Sequence, residues 1–173
     1  PFNLEPGEWT DDTSMALCLA ESLIEKEKFD PSDQMQRYLK WSRDGYLSSN
    51  GKCFDIGTTV GIALRKFKKT NDPYAGSEAP NFAGNGSLMR LAPIPLVYAN
   101  DEIVAMEKAV ESSRTTHGTK NCTDACRYMA VLILGAVKGK SKETILNEIA
   151  LPTLEIWNQR PLAPAIANIA SGS

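Results

Sequence analysis

Two adjacent carboxylates, Asp11 and Asp12, stand between two hydroxyls in the stretch Gly7-Glu8-Trp9-Thr10-Asp11-Asp12-Thr13. Such a run offers several hard oxygen donors within one turn, the donors that Mg2+, Mn2+ and Ca2+ prefer, whereas zinc would want His or Cys. Vicinal acids repel one another when they lose water, and a divalent cation relieves that cost. The same residues also suit a plain helix start with solvated acids. Spacing alone leaves both readings open.

Asp55, after Cys53-Phe54, is a second candidate; a lone Asp before a helix also serves as a cap. Gly84-Asn85-Gly86-Ser87 is a third, because glycines let backbone N–H groups approach a phosphate or a ribose. No Gly-Lys-Ser/Thr follows, so it is not a Walker loop. His117, in Thr115-Thr116-His117-Gly118, is the single histidine; it can bond a phosphate, stack on a base, or be satisfied by local backbone. No Gly-x-Ser-x-Gly elbow accompanies it, which excludes a Ser-His-Asp hydrolase.

The elements that must position these residues are helical. Met15, Ala16, Leu19, Ala20, Leu23 and Ile24 recur at three-to-four spacing behind Thr10, which is placed to cap that helix. Asp30-Pro31 opens a second helix that Gly45 should stop. A third runs from Ile56 to Phe67 with Asp55 as its expected cap. A long irregular segment, 70–86, follows, and loops of that length are often functional. A short helix is expected from Ser87 until Pro93 and Pro95 interrupt it. Further helices are expected over 101–113, 120–137 and 141–151, then a weakly helical tail over 161–173. No run alternates long enough for a strand, so the fold class is all-α.

Composition narrows the function. The 173 residues suit one domain, and a net charge of −2 gives no basic field for nucleic acid or anionic lipid. The longest apolar run, 128–137, is too short to span a bilayer. No export signal is visible at Pro1, and Cys18, Cys53, Cys122 and Cys126 show neither a disulfide framework nor zinc-knuckle spacing. The expectation is reduced thiols and a cytoplasmic protein, with no nucleic-acid or membrane partner.

Taken together and in order, the chain resembles the ADP-ribosylglycohydrolase family. The resemblance rests on Gly7-Glu8-Trp9-Thr10-Asp11-Asp12-Thr13, Phe54-Asp55-Ile56-Gly57-Thr58-Thr59, Ala83-Gly84-Asn85-Gly86-Ser87-Leu88-Met89-Arg90 and Thr116-His117. It implies a compact orthogonal helical bundle, a pair of Mg2+ or Mn2+ ions, and hydrolysis of the bond between C1″ of ADP-ribose and its acceptor. Thr10, Asp11 and Asp12 are then metal ligands, and Asp11 or Asp55 the catalytic carboxylate. Asp55 and Gly57 lie against the distal ribose; Asn85, Gly86, Ser87 and Met89 wrap the ribose and diphosphate; and His117 reaches the phosphate or adenine side. Thr58 stands where the family often has Asn. The family's upstream Gly-Asp-Ala-like segment and its late Gly-Asp-Asp-Ala-Asp-Thr-like segment have no counterpart in 1–173. The implied domain is therefore a single one truncated at both ends, with exposed core that self-association or a partner chain covers. A non-catalytic, crystallin-like relative that keeps the fold is the alternative, and a metal hydrolase of other nucleotides fits the acids but not the glycine turn.

Overall fold

Apolar stripes at helical spacing and well-placed caps build the chain from α-helices. The computed structural model describes residues 3–147 and 157–172. Its helices include α1 (Asp11–Lys26), α2 (Pro31–Asp44), α3 (Thr58–Thr70), α4 (Pro93–Val97), α5 (Glu102–Arg114), α6 (Lys120–Val137), α7 (Lys142–Asn147) and α8 (Pro164–Ala170). Short 3-10 turns at Pro80–Phe82 and Asn85–Ser87 punctuate the α3–α4 connection. Among the described residues the extended backbone pairing is a lone parallel bridge, Ser77 to His117. The all-α expectation holds, and no described helix is long and apolar enough to cross a membrane.

Local chemistry explains most boundaries. The Asp30 side chain accepts from the Asp33 amide and Pro31 occupies the first turn of α2, which Gly45 ends in a left-handed conformation. A β-carbon on Gly45 would collide with the Gly51 carbonyl, so only glycine fits there. Asp101 caps α5 and Thr119 caps α6 through side-chain oxygens.

Three expectations need correction. Asp55 is not the cap of α3: Gly57 holds that position, and Asp55 sits two residues earlier at φ 58°. Asp tolerates that left-handed turn better than most residues. Thr10 occupies the N-cap of α1, but its hydroxyl donates to the Asp12 carboxylate at 2.9 Å instead of accepting from a backbone amide. Pro93 and Pro95 do not interrupt a helix begun at Ser87. They open α4, because proline is tolerated in a first turn where amides have no intrahelical partner. The helix expected over 141–151 is seen as α7, and its remainder lies outside the described residues.

Helix α1 divides the interior. Met15 and Cys18 face one core cluster, with Met35, Tyr38 and Trp41 of α2 and Val60, Ala63, Leu64 and Phe67 of α3. Leu19 and Leu23 face a second, with Leu91, Ile94 of α4, Ala109 of α5 and Cys126 and Ala130 of α6. An outer clamp joins α1 to α2: Arg37 pairs with Asp33 at 2.6 Å, with Glu25 at 2.5 Å, and with Glu21. Held on two faces, α1 presents its N-terminal acids from a rigid base. All four cysteines are free thiols, and burial pushes Cys18 up to about 12.

Candidate active site

The first residue of α1 and the loop before α3 meet at one place. The Trp9 indole donates to the Leu47 carbonyl at 3.3 Å, and the Ser49 hydroxyl donates to the Trp9 carbonyl at 2.8 Å. These bonds tie the approach to α1 onto the α2–α3 loop that carries Asp55. The consequence is electrostatic. Asp11 is only 8% exposed, and its carboxyl is pushed up to about 6, first by burial and then by the charges of Asp55 and Asp12. Cys53 on the same loop also feels Asp11, secondarily to its own burial. Asp12 and Asp55 are exposed.

The grouping of Asp11, Asp12, Asp55 and the Thr10 hydroxyl supplies oxygens and a surplus of negative charge, the donor chemistry of a hard divalent cation. No set of three or more His, Cys, Asp or Glu side chains is gathered into a ready cage among the described residues. The residues present thus have the donor chemistry of a hard cation without a gathered shell among the described residues.

The Gly84–Ser87 turn packs against Val60 of α3, whose Cγ2 would stand 3.0 Å from a β-carbon on Gly86. Asn85 starts its 3-10 turn, with its carbonyl accepting from the amides of Leu88 at 2.9 Å and Met89 at 3.1 Å. Met89 packs half-buried against the cluster of Met15 and Val60, which lie one turn beyond Asp11 and five residues beyond Asp55. Gly84 and Asn85 remain exposed at the surface of the turn, as does Gly57 at the start of α3.

Ser87 and His117 are both buried. Ser87 is buried, accepting from the Ser113 hydroxyl at 2.9 Å with the Cys126 thiol at 3.5 Å. His117 is 2% exposed, its Nδ1 sharing a 2.8 Å bond with the Thr116 hydroxyl and its ring lying under Gly84 and Gly86. Burial, and then the charge of Arg90, push the imidazole down to about 4, so it is neutral near pH 7. Both side chains support the turn from beneath.

Sequence reasoning passed over Arg90, Gln34 and Thr115, which form a buried polar network under that turn. The Gln34 side-chain amide donates to the Tyr38 hydroxyl at 2.9 Å and to the Ser112 hydroxyl at 3.0 Å. Arg90 ends the glycine-turn motif, but nothing local in the sequence announces an arginine buried in a helical core.

Comparison with known proteins bears on the family and the fold. The family model described as ADP-ribosylglycohydrolase matches residues 1–172. The chain is 36% identical over 162 residues to an ADP-ribosylarginine hydrolase, Tri1, of Pseudomonas putida, covering 94% of this chain and 43% of that protein. It is 26% identical to the ADP-ribosyl-[dinitrogen reductase] glycohydrolase of Rhodospirillum rubrum over 150 residues, 85% of this chain and 47% of that one. A solved structure titled an ADP-ribosylglycohydrolase-related protein complex superposes with a TM-score of 0.80 at 42% identity, covering all of this chain and 53% of its own. The chain thus spans about half the length of the relatives it matches. With this fold and that match along nearly its whole length, the chain belongs to the ADP-ribosylglycohydrolase family.

Proposed function

We propose that this chain supplies one wall of a metal-dependent ADP-ribosyl hydrolase site that frees ADP-ribose by cleaving the bond at C1″ of its ribose. The observation that carries the reading is the buried Asp11 carboxyl, raised to about 6 beside Asp55 and Asp12. The likeness to an ADP-ribosylarginine hydrolase favours arginine-linked ADP-ribose as the substrate class.

Thr10, Asp11 and Asp12 would hold Mg2+ or Mn2+, which when bound orients ribose hydroxyls and a water and lowers that water's pKa. Cleavage builds positive charge at the anomeric carbon, and the carboxylates of Asp11 and Asp55 stabilise it through space. Asp11 or Asp55 takes the proton of the attacking water as general base. Gly57, Asn85 and Gly86 offer backbone to the ribose and diphosphate, with Met89 as the apolar floor. Ser87 and His117 act through the turn they support. Free thiols at all four cysteines are consistent with a reducing, cytoplasmic setting. Exposed apolar side chains such as Ile24 of α1 and Leu96 of α4 support a covering partner or self-association, which light scattering would detect.

Titration calorimetry of ADP-ribose into this chain, with and without Mn2+, tests the reading. Binding that Mn2+ strengthens and Asp11→Ala abolishes is expected. Absence of binding in both conditions would overturn it and favour the second reading, a non-catalytic relative that keeps the fold. That second reading draws support from Ser87 and His117, two residues of the ligand wall that the core already occupies.

A further inference from the structure

Arg90 is 0% exposed, and among the described residues none of its hydrogen-bond partners is an acid. Its Nη1 donates to the Gly86 carbonyl at 2.9 Å, and its Nη2 to the Ser112 carbonyl and the Thr115 hydroxyl, both at 3.1 Å. The guanidinium lies over the Tyr38 ring, 4.7 Å from its centroid, and its buried Nε has no hydrogen-bond partner among the described residues. A desolvated cation without a counter-charge is costly, and an apolar side chain of similar volume often serves stability equally well. Stability is therefore a poor account of this residue.

What arginine adds is direction, because its planar fork fixes two acceptors relative to each other. One arm takes the carbonyl in the middle of the Asn85–Ser87 turn, and the other takes the end of α5. That end is itself immobilised: the Thr115 hydroxyl donates to the Ser112 carbonyl at 2.7 Å, and Gln34 of α2 reaches the Ser112 hydroxyl at 3.0 Å. Beneath the same turn, the His117 ring and Val60 leave no room for even a β-carbon on Gly86.

We infer that Arg90 is a positioning residue that clamps the Gly86 carbonyl to the end of α5 and so holds the Gly84–Ser87 turn in the shape that receives ADP-ribose. The ligand named here rests on the function proposed above; the clamp itself does not.

The test compares the parent chain with Arg90→Met, which keeps length and bulk, and Arg90→Lys, which keeps charge but loses the fork. Amide hydrogen exchange is read by NMR at Leu88 and Met89 in the turn and at Gly45 after α2, alongside calorimetry with ADP-ribose and Mn2+. In both variants the turn amides should exchange about tenfold faster or more while Gly45 keeps its protection. Affinity for ADP-ribose should fall about tenfold or more, with at most partial rescue by lysine. Unchanged exchange in the turn, a uniform loss of protection that includes Gly45, or parental affinity in Arg90→Met would each overturn the inference. A turn that loosens locally in a chain whose parent binds no ADP-ribose would uphold the clamp and reject the ligand.

Discussion

A β-carbon on Gly86 would stand 2.7 Å from Cε1 of His117, with Val60 Cγ2 at 3.0 Å closing the other side. Glycine and imidazole thus share one space, and the turn that exposes Gly84 and Asn85 rests directly on the ring. The buried histidine is the shape of the turn's underside, and its contribution to any ligand passes through that shape.

Gly86→Ala is expected to cost about 1–3 kcal/mol, since a well-packed site accommodates added volume only by displacing neighbours. Because the displaced neighbour is chiefly His117, the double variant with His117→Ala should be less destabilised than the sum of the two single changes. A coupling of about 0.5–2 kcal/mol is the expected size for groups in direct contact. Urea unfolding of the four proteins in the cycle measures it, and strict additivity would show that the two residues do not share the space.

His117 should remain neutral far below the usual range for histidine. Its pKa falls from 6.5 to about 4, first through burial and then through the Arg90 charge. Between those values the unfolded chain binds the extra proton, so this residue adds stability above pH 6.5 that is lost as the pH falls through 4. As the single histidine, its ring resonances are unambiguous in an NMR titration. A midpoint near 6.5 would mean that the ring is open to water.

Legibility in the sequence followed the range of the interactions. Helix α2 was readable because its start and stop are local: Asp30, Pro31 and Gly45 act within a turn of where they stand. The same logic misplaces Asp55, which the α2–α3 loop holds two residues before the cap, and it finds the N-cap position of Thr10 but not the bond of its hydroxyl to the Asp12 carboxylate. Pro93 and Pro95 were legible as helix punctuation, yet proline ends one helix and begins another by the same chemistry. The acids of the site were visible as a motif, whereas the pressure of Asp55 on Asp11 needed the fold to bring the start of α1 and the α2–α3 loop together. The support beneath the turn was invisible, because Gln34, Arg90 and Thr115 meet only through tertiary packing.

Arg37 should prove the chief electrostatic fastener between α1 and α2. Its guanidinium bonds Asp33, Glu25 and Glu21, and Glu21 also accepts from the Tyr46 hydroxyl at 2.5 Å. Arg37→Ala removes the cation and leaves the carboxylates facing one another, with an expected loss of about 1–3 kcal/mol for this half-sheltered network. Raising the salt concentration should narrow the gap between parent and variant in thermal unfolding, because salt screens the carboxylate repulsion left behind. A gap that does not respond to salt would assign the residue's effect to packing of its alkyl stem.

Asp11 predicts a stability that declines with rising pH in the absence of metal. The folded protein holds the Asp11 proton to about pH 6, while the unfolded chain releases it near 3.8. Between these values the native state binds more protons, so this group's contribution is fully present below pH 3.8 and is lost as the pH rises through 6. His117 slopes the opposite way, which makes the difference between parent and Asp11→Asn the informative quantity. That difference should grow from pH 4 to pH 7 and reach about 1–2 kcal/mol in favour of the variant, measured by urea unfolding. Asp55→Asn should remove part of the same penalty, because the Asp55 charge follows burial as the next cause of the raised value. Millimolar Mn2+ should then stabilise the parent at pH 7 and leave Asp11→Asn unmoved, since a cation relieves a repulsion that the variant no longer has. Equal stabilisation of both proteins by Mn2+ would place the metal elsewhere.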